Sequence, residues 1–290
     1  MEQKLFSEKL SRNCLIRIQS VYKNLKTAEK KAADFILENP ETIANDTIVE
    51  AAGLAGCSEA TLVRVARKLG YSGYVMLKAS ILQNDENDSG ILYGEIKPND
   101  DPIEVANKIF QTFIQSLVDT SGLLNNETYL QALDRIQHAK HLLFAGAGDA
   151  YTVAYTGYLK FSRIGLSASC PQDFDIQLME ASKLGPDDLF VIISHTGQTQ
   201  SIYEVEKYAK RAGTPILVIT NYPMSPIARA ADMVLLTATF VPNMFGEIMT
   251  KRVAELCLLE TLYVNTIMRA DGSVGERLKN ATKAISINKL

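Results

Sequence analysis

No stretch of this 290-residue chain is apolar for the ~18 residues that a membrane-crossing helix needs, and the charged segment Met1 to Leu10 has no signal-peptide core. A cytoplasmic protein without a membrane partner is expected. The four cysteines, Cys14, Cys57, Cys170 and Cys257, lie far apart, with no C-x-x-C pair and no histidine cluster beside them. That excludes a disulfide scaffold, a zinc ribbon and a dithiol redox motif, and leaves reduced thiols and no metal or cofactor as the expectation. Internal repeats and low-complexity tracts are also missing. With 47% hydrophobic and 22% charged residues, disorder is excluded as well, and the length suits two domains.

The net charge of −3 conceals an asymmetry. Residues 1–84 hold 12 Lys/Arg and 9 Asp/Glu, a net of +3, whereas residues 85–290 hold 18 and 24, a net of −6. A basic head on an acidic body suits a nucleic-acid reader joined to something else, because phosphate neutralisation dominates DNA affinity. Random scatter of charges gives the same difference.

Up to about Leu82 the pattern is helical. Thr27 is placed to cap a helix that carries Phe35, Ile36 and Leu37 and stops at Asn39-Pro40, since proline disfavours helix at the preceding residue. The run Gln83 to Gly90 is polar and Asp/Asn-rich and reads as a linker. A helix then begins at Asp101-Pro102, with Val105, Ile109, Phe113 and Leu117 recurring every four residues, and another covers Tyr129 to Ile136. Beyond it, short apolar runs at His141–Phe144, Leu189–Ser194, Pro215–Thr220 and Met233–Thr237 alternate with helical stretches, as a parallel sheet covered on both faces requires. A last amphipathic segment runs from about Glu247 to Met268. The fold class expected is an all-α helix-turn-helix domain (1–82), a linker (83–100) and an α/β doubly wound parallel-sheet domain (101–290).

Within the head, Thr47 and Glu50 have capping-box spacing, Gly56 stands where a tight turn is needed, Ser58 is placed to cap a second helix and Gly70 to end it. Cys57, Leu62, Val65 and Leu69 share one face. The other face carries Ser58, Glu59, Thr61, Arg64, Arg67 and Lys68. A recognition helix needs polar groups near its N-terminus to reach base edges, and hydroxyls and cations beside them to hold phosphates. On that reading Glu59 and Arg64 enter the groove, and Ser58, Thr61, Arg67 and Lys68 contact the backbone. An ordinary solvated amphipathic helix carries the same residues. The segment Leu25 to Leu82, with Ser58-Glu-Ala-Thr-Leu-Val-Arg64 and Arg67-Lys-Leu-Gly-Tyr-Ser-Gly-Tyr74, resembles the N-terminal domain of the RpiR family of bacterial transcriptional regulators. It departs from that pattern at Ala51 and Cys57, where larger aliphatics are usual, which touches packing rather than DNA reading.

Two loops in the body carry chemistry. Ala145-Gly146-Ala147-Gly148-Asp149 follows a strand and precedes a helix, so Gly146 and Gly148 let the backbone approach a ligand at a helix N-terminus. No third glycine completes a dinucleotide fingerprint. Ser194-His195-Thr196-Gly197-Gln198-Thr199 occupies the equivalent place after the next long strand. Three hydroxyls, a permissive glycine and helix amides make a nest for a phosphate monoester, and the lack of G-K-[ST] excludes a Walker site. A polar loop with capping hydroxyls has the same composition.

Residues from about His141 to Ala238, including Asp173-Phe-Asp-Ile-Gln-Leu-Met179, Thr220-Asn221 and Ser225-Pro226-Ile-Ala228, resemble a SIS (sugar isomerase) domain. The resemblance implies that Ser194, Thr196 and Thr199 grip the phosphate of a sugar, with Gly146, Gly148, Asp149, His195, Gly197 and Glu247 around it. Asp149 stands where that family usually has Ser. A carboxylate repels phosphate but accepts hydrogen bonds from sugar hydroxyls. Position 196 is Thr where Ser is usual.

Head and body together imply a transcriptional regulator, expected to be a repressor of carbohydrate-metabolism genes that answers to a phosphorylated sugar. As a homodimer or homotetramer it is expected to bind a palindromic site in double-stranded DNA. The alternative is an aldose–ketose isomerase with Glu247 and His195 as its acid/base pair, although a glutamate at a helix start is favoured by the dipole alone.

Overall fold

The computed structural model describes residues 12–22, 24–71, 73–81, 96–239, 250–270 and 272–288. The chain forms two units, divided between Gln115 and Ser116.

The first unit is helical throughout its described residues: α1 (Arg12–Tyr22), α2 (Thr27–Glu38), α3 (Pro40–Asn45), α4 (Ile48–Leu54), α5 (Glu59–Lys68), α6 (Tyr74–Ile81) and the first part of α7 (Pro102–Gly122). Thr27 lies one residue inside α2 rather than capping it. The cap is Lys26, whose own amide is taken by the Glu29 carboxylate at 2.8 Å, so an acid in the first turn satisfies a free amide at this helix start. The helix ends at Asn39, and Pro40 opens α3, a position where its missing amide costs nothing. Helix α5 packs on α2, α4 and α6. Leu62, Val65, Ala66 and Leu69 are buried on its inner side, while Ala51 and Ala52 are buried in α4.

The second unit holds the rest of α7, α8 (Asn126–His138), β1 (Leu142–Gly146), α9 (Ala150–Arg163), β2 (Ala168–Ser169), α10 (Phe174–Ala181), β3 (Leu189–Ile193), α11 (Gln200–Arg211), β4 (Ile216–Thr220), α12 (Pro226–Ala230), β5 (Met233–Leu236), α13 (Thr250–Arg269) and α14 (Ser273–Ser286). All strand pairings are parallel, in the order β2-β1-β3-β4-β5. Every residue of β1, β3 and β4 is buried, because helices cover both faces. Alternate side chains feed two cores. Leu142, Phe144, Val191, Ile193, Leu217 and Ile219 pack with residues of α8, α9 and α13. Leu143, Ala145, Phe190, Ile192, Ile216 and Val218 pack with α10, α11 and α12. Each of the Val, Leu, Ile and Phe side chains contributes roughly 1.5–3 kcal/mol on burial.

The long strands thus fall where the apolar runs predict them. The two-residue β2 was not foreseen: Ala168 and Ser169 are only half-buried and too short to show a period. Register aligns Leu142 with Leu189 and Gly146 with Ile193, which brings the C-terminal ends of β1 and β3 side by side.

Candidate functional site

In the first unit the turn between α4 and α5 is built as its residues demand. The Glu50 carboxylate takes the Thr47 amide at 2.9 Å, and Gly56 and Gly70 adopt positive φ of 61° and 85°. The Ser58 hydroxyl accepts the Thr61 amide at 3.3 Å and caps α5. Ser58, Glu59, Arg64 and Arg67 are exposed along α5. Thr61 is not: it is buried, although the sequence assigned it to the outer face. Its hydroxyl lies 2.9 Å from that of Ser58 and receives the Arg64 guanidinium at 3.2 Å, so it aligns two outer residues instead of reaching outward. Lys68 also turns inward, pairing with Glu29 at 2.7 Å. Burial opposes ionisation of Glu29, yet hydrogen bonds from Lys68 and from the Lys26 amide, with the charges of Lys68 and Arg64, hold its carboxyl below the usual range.

In the second unit the strand order reverses direction between β1 and β3, the place where open parallel sheets bind ligands outside their C-terminal ends. Both loops singled out in the sequence lie there. Gly146 is buried, and a Cβ on it would come within 2.7 Å of the Ala150 carbonyl. Gly148 follows at φ +60°. Asp149 occupies the cap position of α9 but makes no cap bond with its side chain. Its carboxylate accepts from Arg252 Nη2 at 2.9 Å and lies 3.5 Å from Lys251 Nζ. Burial works against that charge, but the Arg252 hydrogen bond and the two cations keep the carboxyl below its ordinary range.

The second loop is tied down by its backbone. The His195 carbonyl accepts the Asn221 amide and the Thr220 hydroxyl, both at 3.1 Å, and the His195 ring meets Tyr222 edge-on. Thr196 Oγ1 takes the Gln198 amide at 3.3 Å. Gly197 is buried at φ +60°, its amide donates to the Ser194 carbonyl, and a Cβ would sit 1.9 Å from Ser225 Oγ, so no other residue fits without rebuilding the start of α12. The local fold leaves two hydroxyls uncommitted. Ser194 Oγ is buried without a hydrogen-bond partner among the described residues, and Thr199 caps α11 without using its side chain. A buried hydroxyl left unbonded is costly, and a ligand oxygen satisfies it. Glu247 lies outside the described residues.

Arg252 and Glu255 are the residues the sequence did not single out. Both are buried in the first turns of α13, and Arg252 Nη1 donates to Glu255 Oε2. Arg252 Nε, Glu255 Oε1 and Thr250 Oγ1 are buried without partners among the described residues. Burial pushes the Glu255 carboxyl up to about 7, against the Arg252 charge and hydrogen bond. In the sequence these positions sit inside an amphipathic helix, and only the Arg-x-x-Glu spacing marks them. No group of His, Cys, Asp or Glu that could hold a metal occurs among the described residues, and no described helix is long and apolar enough to cross a membrane.

A helix-turn-helix unit linked to a doubly wound sheet with a hydroxyl-rich loop at its switch point defines a DNA-binding regulator with a small-ligand domain. Residues 12–88 match the helix-turn-helix domain of the rpiR family and residues 135–264 match the SIS domain. An HTH-type transcriptional regulator of Thermotoga maritima is 31% identical over 93% of this chain and 97% of its own length. The HTH-type transcriptional regulator HexR of Pseudomonas aeruginosa is 33% identical over 89% of this chain and 90% of its own. The structure of the Vibrio vulnificus NanR protein complexed with ManNAc-6P shares the fold, with a TM-score of 0.59 and 23% identity over 94% of this chain and 97% of that one. The chain belongs to the RpiR family of helix-turn-helix transcriptional regulators. Its relatives are named transcriptional regulators, so its SIS domain is a regulatory ligand-binding module rather than an isomerase.

Proposed function

We propose that the protein represses carbohydrate-metabolism genes and that a sugar phosphate held at Ser194, Thr196 and Thr199 sets its affinity for DNA. The observation that carries this reading is the buried Ser194 hydroxyl, unbonded among the described residues, in the same switch-point loop as Thr199, whose side chain makes no cap bond. Gly148 leaves open space where a ligand can approach the backbone, while Gly146 and Gly197 let the two loops close on α9 and α12. Asp149 and His195 border the sugar, Glu247 is assigned to it from the family pattern alone, and the Asp149 charge is already neutralised by Arg252 and Lys251. Phosphorylated amino sugars are the first ligands to try, given the ManNAc-6P complex of the structural neighbour.

Residues 1–82 are taken as the DNA-binding domain, 83–100 as the linker and 101–290 as the ligand domain, although residues 101–115 group with the first unit. Glu59 and Arg64 read bases, while Ser58 and Arg67 hold phosphates. Thr61 and Lys68 act through Arg64 and Glu29 rather than by touching DNA, because both are turned inward. A homodimer presents two recognition helices to a palindromic operator. The exposed stripe Ile103, Phe110, Ile114 and Val118 of α7 and the exposed Leu256, Val264 and Met268 of α13 supply apolar surface for it. The site is tested by titration calorimetry with hexose and amino-sugar 6-phosphates and their unphosphorylated parents. Binding that requires the phosphate supports the reading. Equal binding of the parent sugars, or none by any member, refutes it.

A further inference from the structure

The C-terminal turns of α11 lead into β4, so they lie at the end of the sheet opposite the two loops described above. A concavity of about 280 Å³ opens there, lined by Tyr203, Glu206, Lys207, Lys210, Arg211 and Ala230. Glu206 is 1% exposed, and neither of its carboxylate oxygens has a hydrogen-bond partner among the described residues. A neighbouring concavity of about 300 Å³ shares Lys210 and is lined by Thr214, whose hydroxyl is likewise buried and unbonded. Two buried polar side chains thus lack partners, each on the wall of a concavity, and none of these groups belongs to the sugar-phosphate site.

The charges decide what fits. Lys207 pairs with Glu204 and lies over the Tyr203 ring, and Lys210 pairs with Asp232 at 2.7 Å. The Arg211 guanidinium rests against Tyr208 and has no carboxylate partner among the described residues. A ligand cation would lie against three side-chain cations. An anion meets them favourably, and a protonated Glu206 carboxyl donates to it. The helix C-terminus, which by itself repels anions, is blunted here, since the Ala212, Gly213 and Thr214 amides already take carbonyls of the last turn. Burial pushes Glu206 up to about 8, with Lys210 on its own helix opposing and Asp232 before β5 adding. No other charge, from α10 or α12, is among the groups acting on it.

We propose that this concavity is a second ligand site, for a small oxyanion held by Arg211 and Lys210 and hydrogen-bonded to the Glu206 carboxyl. The anion is a phosphate or a carboxylate. Its binding keeps the Glu206 proton in place, so affinity falls as that proton is lost.

The test uses the full-length chain carrying Ser194→Ala and Thr199→Ala, which takes the other anion nest out of play. Calorimetric titration with inorganic phosphate and with malonate at about pH 6.5 is expected to show binding of at least one, and which of them binds sorts phosphate from carboxylate. Malonate stays a dianion above that pH, so the pH series is run with malonate where it binds. Its affinity should fall about tenfold or more by pH 9 in this background and stay level when Glu206→Gln is added, because the amide donates without titrating. Where only phosphate binds, adding Glu206→Gln should preserve binding at pH 6.5 and lessen its loss at pH 9. Adding Arg211→Ala should weaken binding about tenfold at either pH. No binding of either oxyanion overturns the proposal, as does binding untouched by Arg211→Ala, or preferential binding of methylammonium.

Discussion

The Asp149 carboxylate at the N-terminus of α9 is held at 2.9 Å by Arg252, a buried residue of α13 that also pairs with the buried Glu255. The pair joins the first glycine loop to the helix that follows residues 240–249. It also accounts for an acid at the end of a loop proposed to meet an anionic ligand: its charge is set against two cations.

Replacing Asp149 with Ser should therefore tighten phosphosugar binding, because a like charge leaves and the carboxylate no longer draws on the charges of Arg252 and Lys251. Affinity is expected to rise about tenfold by calorimetry. The fold should lose only about 1 kcal/mol in denaturant unfolding, since the carboxylate is partly solvated and Arg252 keeps Glu255. Weaker binding would show that Asp149 holds the sugar directly.

Ser194→Ala should separate stability from function. Its hydroxyl has no bond to lose among the described residues, so the unfolding free energy should stay within about 0.5 kcal/mol of the parent or rise. Together with Thr199→Ala it should abolish the ligand response. A large loss of stability would mean that the hydroxyl is structural.

Gly197→Ala should damage the same loop by another route. The new methyl group meets Ser225 Oγ, and the residue must keep φ +60°. A cost of about 3 kcal/mol or more is expected in thermal or denaturant unfolding. Adding Ser225→Ala should recover only part of it, because the α12 cap is lost in exchange.

On α5, Arg64→Ala and Lys68→Ala should behave differently. The first should relax sequence selection by about 1–3 kcal/mol. The second should mainly destabilise the first unit by stranding the buried Glu29, leaving the salt dependence of DNA binding unchanged. A shallower salt slope for Lys68→Ala would return that residue to the phosphate backbone.

Glu255 predicts a pH signature. Its folded carboxyl is raised from 4.5 to about 7, so between those values the native state holds a proton that the unfolded chain has released. Stability should fall as pH rises through this window, by at most about 1.4 kcal/mol per unit, and level off above it. Glu255→Gln should flatten that slope in urea titrations, and an unchanged slope would count against the assignment.

Much of this was legible in the chain because local chemistry and global fold agree. Leu189 to Ile193 and Ile216 to Thr220 are continuous apolar runs because both faces of the sheet are covered, and Thr47, Glu50 and Ser58 cap the helices that their spacing predicts. What stayed hidden depends on long-range approach. The Asp149–Arg252 pair spans 103 positions, and Lys68–Glu29 spans 39, so neither leaves a local pattern. Thr61 misleads for a different reason: Ser58 and Arg64, three residues away on either side, are polar, and only the packing of α5 on α2 and α4 decides that it turns inward.

The central claim is that sugar-phosphate occupancy changes DNA affinity. Fluorescence anisotropy with labelled DNA from upstream of the protein's own gene and the neighbouring operon, at two salt concentrations, with and without each sugar phosphate, tests it most directly. The account predicts specific binding that one sugar phosphate shifts by about 5–150-fold, a shift that Ser194→Ala with Thr199→Ala removes. Specific DNA binding that no sugar phosphate alters, or a shift that survives that double substitution, would contradict it.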